Sequence, residues 1–178
     1  QHLPHGRIRA IDAGTEKRLF AIETLPRVAP RMRRSAEEEK QAVLFAARES
    51  RVAALVTLAA PVHPENFPTR VLDAAQLQQW RDTGFIVYNG RRLNVSMLED
   101  LQSLDVPQAA RAVQCPVLIL HGDADEVVPV NEAYELHECL SGAKRLSILN
   151  GSDHRVSDPA LMQRALEESL DWLIDHVG

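Results

Sequence analysis

The stretches CPVLILHGDADEVVP (Cys115–Pro129) and RLSILNGSDHRVSDP (Arg145–Pro159) decide how this chain is read. Each opens on a short apolar run and closes in a polar loop. A short apolar run without alternation suits a strand buried on both faces of a parallel sheet. Such strands are predicted over 115–122 and 144–149. A helix is predicted between them, over 131–140. A second, longer helix is predicted over 159–177, with Asp158 or Ser157 as its cap and Pro159 near its first position. Met162, Ala165, Leu166, Leu170, Leu173 and Val177 form its expected buried stripe. Strand–helix–strand–helix with buried strands implies a parallel sheet with right-handed crossovers. Ligands of such sheets sit beyond the carboxyl ends of the strands, and both polar loops leave from that edge.

Asp125 lies just past the first strand and His154 just past the second, 29 residues later. Adjacent parallel strands stand ~5 Å apart, so two loops leaving one edge can bring a carboxylate and an imidazole into contact. The carboxylate then fixes the ring tautomer, and the other ring nitrogen takes a proton. Taken singly, His154 reads as a loop histidine bonded to backbone and Asp125 as a turn residue. The matched placement reverses that reading. Asp153 and Asp158 are most simply a turn and a cap. Cys139 falls within a helix beside Leu136 and Leu140 and reads as packing. His121, at the end of a strand beside Gly122, reads as structural. The histidines are too scattered for a zinc site, and no phosphate-binding glycine loop is present, so neither metal nor cofactor is expected.

Working upstream, RVAALVTLAAP (Arg51–Pro61) is another buried strand. Residues 62–113 form an excursion. It contains a helix over 71–82 stopped by Gly84, then a β-hairpin turning at Asn89-Gly90, then a capping box Ser96-x-x-Glu99. A short helix over 107–113 returns the chain to the core. Ser35 and Glu38 form a capping box for a helix over 35–50. Arg7–Ala13 and Arg18–Thr24 are candidate strands, and Arg27, Arg31, Arg33 and Arg34 read as a solvated basic loop.

The 178 residues carry a formal charge of −5, with 45% hydrophobic residues. That composition excludes a disordered chain and disfavours a general nucleic-acid binder. No apolar run approaches the ~18–20 residues of a membrane span. No signal peptide is visible, and two cysteines cannot make a disulfide framework, so a reducing, cytoplasmic setting is expected. An exposed sheet edge would suit a homodimer.

These residues resemble the α/β-hydrolase superfamily over about two-thirds of the chain, from Arg51 to Gly178. CPVLILHGDADEVVP is similar to its strand and acid-bearing loop, RLSILNGSDHRVSDP to its last strand and histidine loop, and RVAALVTLAAP to the strand after its nucleophile. The small esterase, thioesterase and serine-peptidase-like branches are the most similar. The resemblance implies a partial α/β-hydrolase fold, a parallel sheet with flanking helices. Residues 51–178 would be the core, 62–113 a cap-like insertion and 1–50 an atypical N-terminal segment. It implies a Ser-His-Asp triad acting on acyl substrates, with the acid at Asp125 and the base at His154, in the chain order acid then histidine. Trp80, Phe85 and Tyr88 would line an acyl pocket or else form the insertion's core.

The nucleophile should lie upstream in a G-x-S-x-G elbow. None of Ser35, Ser50, Ser96, Ser103, Ser141, Ser147, Ser152, Ser157 and Ser169 has glycine two before and two after. Three explanations stay open. The chain is a fragment of a longer hydrolase with an unrelated start, it is a domain that has lost the nucleophile, or another residue serves in that role. The alternative function is accordingly a non-catalytic α/β-hydrolase-like binding domain.

Overall fold

The computed structural model describes residues 18–22 and 42–177. They fall into two compact units, one ending at Val62 and resuming at Val106, the other His63–Asp105.

The first unit is built on a parallel sheet. Its strands are β1 (Arg18–Ile22), β2 (Val52–Leu58), β5 (Val117–Gly122) and β6 (Lys144–Leu149), in spatial order β1-β2-β5-β6. All three pairings are parallel, and the β5–β6 register runs from Val117↔Lys144 to Gly122↔Leu149. Every residue of β5 is buried, as its unbroken apolar run predicts. The strand opens at Val117 rather than Cys115, because Pro116 has no N–H for the ladder; its carbonyl instead accepts from the Leu55 N–H. Ala54, Val56, Leu118 and Leu120 face α7 (Pro159–Val177), where Trp172, Leu173 and Ala165 complete one core layer. The alternate residues Leu55, Val117 and Ile119 point to the opposite face. There α1 (Ala42–Ala46), α5 (Val106–Ala112) and α6 (Asn131–Cys139) pack.

The long helix is rotated from its expected setting. Ala165 and Leu173 are buried as expected, together with Ser169 and Trp172, but Leu166 and Leu170 are 42% and 56% exposed. The apolar arc of α7 is wider than one face. Burying Trp172 removes the largest area from water and selects that side. The Arg164 guanidinium, 3.3 Å from the Ser147 hydroxyl, and the Arg145–Glu168 pair fix the same rotation against β6. Asp158 is the cap, its carboxylate accepting from the Ala160 and Leu161 N–H groups.

The second unit contains α2 (Phe67–Val71), α3 (Ala74–Thr83), the hairpin β3 (Phe85–Tyr88) and β4 (Arg91–Asn94), and α4 (Ser96–Gln102). The hairpin turns where expected, with Asn89 and Gly90 both at positive φ. Two expectations need correction. The helix expected over 71–82 begins at Ala74, because the chain is extended at Leu72 and Asp73 caps with a box to Gln76. The Ser96–Glu99 box does not form: Val95 is the N-cap, already in helical conformation, so Ser96 lies one residue inside the helix. Trp80 is fully buried with Leu72 and Ile86 in this unit's own core. Tyr88 meets Phe67 edge-on at 5.8 Å, and Phe85 lies under the Arg92 guanidinium at 3.9 Å. The candidate strand Arg7–Ala13, the Ser35–Glu38 box and the four-arginine cluster lie outside the described residues.

Candidate active site

Both polar loops leave the same end of neighbouring strands, and the structure brings their predicted residues together. The Nδ1 of His154 is 2.8 Å from the Asp125 Oδ2. The Asp125 carboxylate is wholly buried, and the His154 side chain is 10% exposed. The other ring nitrogen, Nε2, makes no hydrogen bond among the described residues. A carboxylate facing Nδ1 puts the ring proton there and leaves Nε2 as a lone pair able to accept a proton.

Asp125 is held from every side. Its Oδ1 accepts from the backbone N–H groups of Val127 and Val128, both at 2.8 Å. Its Oδ2 faces a second imidazole, the Nε2 of His121 at 3.3 Å. Burial alone would push the carboxyl up. The donors outweigh it, first His121, then His154 and the Val128 and Val127 amides, and hold Asp125 well below the usual carboxylate range.

The two loops are latched along their length. The Gly151 N–H donates to Asp123 Oδ1 at 2.6 Å, the Ala124 N–H to the Ser152 carbonyl at 3.1 Å, and the His154 N–H to Glu126 Oε2 at 3.4 Å. Gly122 makes this approach feasible, since a Cβ there would lie 2.8 Å from the Ser152 Cβ and collide with the Ser152 carbonyl. Past His154 the chain turns through Val156, which is buried at a φ of 50°. A β-branched residue in that region is strained by ~1–3 kcal/mol, and here the Val156 side chain is held in the core layer under α7. Asp153 closes the same turn, accepting from the Ser157 hydroxyl and N–H, bonds that lower its carboxyl pKa.

Sequence pattern gives His121 only a structural part and assigns nothing to Asp123, Glu126 or Gly122. Among the described residues no three His, Cys, Asp or Glu side chains gather as a metal would need. Nor is any helix long and apolar enough to cross a membrane. A groove of about 330 Å³ lies in the second unit, lined by Pro68, Leu77, Val95, Leu98 and Arg81 among others, with neither Asp125 nor His154 on its wall.

A model of the prolyl oligopeptidase family matches residues 72–178, a span that holds both loops. The chain belongs to the prolyl oligopeptidase family. The solved structures agree on the α/β-hydrolase fold. The esterase domain of a Rhodothermus marinus protein is 23% identical with a TM-score of 0.60, over 76% of this chain and 57% of that one. Est1E from Butyrivibrio proteoclasticus is 24% identical with a TM-score of 0.61, over 76% of this chain and 56% of its own. The monoacylglycerol lipase of Mycolicibacterium smegmatis is 27% identical over 73 residues, which are 40% of this chain and 26% of the lipase. The chain thus spans little more than half the length of the solved hydrolases it matches. The resemblance drawn from its loops holds at the level of fold and family.

Proposed function

We propose that Asp125 and His154 are the acid and base of a Ser-His-Asp triad that hydrolyses carboxylic esters or related acyl compounds. The observation that carries this reading is the 2.8 Å contact between a buried carboxylate and Nδ1, with Nε2 left unbonded. In the proposed reaction a serine hydroxyl attacks the acyl carbon while Nε2 takes its proton. The same proton then passes to the leaving alcohol as the old ester bond breaks. Water repeats the sequence on the acyl-enzyme, releasing the acid and restoring the serine. Asp125 orients the ring and stabilises its charged form throughout. No serine of this sequence sits in a G-x-S-x-G elbow, so the nucleophile is proposed to come from sequence that this chain does not carry in that form.

Two measurements test the reading. In a form of the protein that carries such an elbow, His154→Ala is expected to lower turnover of a p-nitrophenyl ester at least ~10³-fold. Undiminished turnover overturns the assignment. The chain itself, treated with a fluorophosphonate and mapped by mass spectrometry, is expected to remain unlabelled. Labelling at one serine would instead locate a nucleophile within this sequence. The missing elbow also favours a second reading, a binding domain built on the hydrolase fold. Full turnover loss in His154→Ala decides against it.

A further inference from the structure

Asp125 is gripped by two imidazoles, and only one of them belongs to the proposed triad. The other, His121, is the penultimate residue of β5 and is completely buried. Its Nε2 lies 2.9 Å from the Val128 carbonyl and 3.3 Å from Asp125 Oδ2. Both neighbours are acceptors, so Nε2 must carry a proton. Its Nδ1 is buried with no hydrogen-bond partner among the described residues. A proton there would be stripped of water and given no acceptor, which is far costlier than a bare lone pair. The surroundings thus specify one tautomer, Nε2–H with Nδ1 bare.

We propose that His121 is a positioning residue, whose Nε2–H, bonded to the Val128 carbonyl at 2.9 Å, also lies against Asp125 Oδ2 at 3.3 Å and so aims that oxygen at His154. This rests on the acid–base reading of Asp125 and His154. A buried carboxylate anchored only through Oδ1 could swing Oδ2 out of line with the ring. The two backbone amides hold Oδ1. His121 supplies the opposing tether to Oδ2, and through Val128 it ties the same ring to the loop that carries the acid. With its unpartnered Nδ1 it donates a hydrogen bond without competing for the proton that His154 handles. The groups that face the carboxylate are therefore His121 from β5, His154 from the following loop, and the amides of Val127 and Val128. Glu126 reaches the backbone N–H of His154.

The test is long-range ¹H–¹⁵N NMR of the histidine rings in the purified chain at pH 7. In the wild type, His121 is expected to show protonated Nε2 and bare Nδ1; the opposite tautomer overturns the proposal without any variant. In His121→Phe, which fills the space but donates nothing, the far-downfield Nδ1–H signal of His154 is expected to be lost to exchange. In His121→Gln, whose amide nitrogen can stand where Nε2 stood, the signal is expected to survive. A well-folded Phe variant that keeps the signal, or equal loss in both variants, shows that His121 only fills space. None of these readings needs turnover. A failure of the ester hydrolysis test therefore leaves them standing, and their failure leaves the triad assignment intact.

Discussion

Asp125 accepts three hydrogen bonds inside the fold and meets the His121 ring at 3.3 Å, so its protonation state is coupled to stability. Its folded pKa is depressed relative to the unfolded chain. The stabilisation is therefore fully present above the ordinary carboxylate value of ~3.9 and is lost as pH falls below that toward the folded value. Asp125→Asn removes the charge and turns an N–H toward an N–H of an imidazole. Urea unfolding at pH 7 is expected to place the variant ~1–3 kcal/mol below the wild type, with the gap narrowing between about pH 5 and pH 2. A gap that stays constant with pH would mean the carboxylate is not the group whose ionisation is linked to folding. At this scale the sequence carried part of the candidate site. Asp125 and His154 are legible because each follows a buried strand into a polar loop. His121 is not, since a histidine closing an apolar run looks like packing. Its partners at Asp125 and Val128 appear only once the loop has turned back over the strand end. The latches from Asp123 and Glu126 are equally hidden, because both end on backbone N–H groups, which no side-chain pattern marks.

Helix starts show a different limit. The second unit holds two segments with nearly the same cap spelling, Asp73-x-x-Gln76 and Ser96-x-x-Glu99. Only the first closes into a box, with Gln76 N–H to Asp73 at 2.8 Å and Asp73 N–H to the Gln76 side chain at 3.0 Å. Asp73 is reached through an extended backbone, the conformation an N-cap requires. The second segment leaves β4 and enters the helix at Val95 without an extended residue, so the Ser96 hydroxyl is one position too late. Asp73→Ala is expected to cost ~1 kcal/mol in urea unfolding, whereas Ser96→Ala is expected to stay within ~0.5 kcal/mol of the wild type. Equal losses would restore Ser96 as a cap. The same comparison explains which elements the sequence predicts well. The strands β2, β5 and β6 and the hairpin turn follow from apolar runs and from Asn-Gly backbone preferences, which are local. Cap positions and the rotation of α7 depend on what the neighbouring chain does.

Across the whole molecule, that rotation leaves a stripe of apolar surface. Leu166, Leu170 and Ile174 stand one turn apart on α7 at 42%, 56% and 62% exposed. The layer beneath is complete without them, because Trp172, Leu173 and Ala165 already cover β2 and β5. Such a stripe is a place where chains adhere nonspecifically, since burying it costs neither partner any hydrogen bonds. The formal charge of −5 opposes contact only weakly, because its repulsion is screened beyond ~8 Å at physiological salt. Replacing Leu170 and Ile174 together by Lys places positive charge beside Asp171 and Asp175, and at position 174 in the last turn, where the dipole favours it. The double variant is expected to self-associate less in sedimentation velocity as protein concentration rises, while unfolding within ~1 kcal/mol of the wild type. If stability fell by several kcal/mol, those side chains would have to be buried within the chain's own fold. If association were unchanged, the adhesive surface would have to be sought elsewhere, at Phe45 or Tyr134, the other large exposed hydrophobic side chains among the described residues of the first unit.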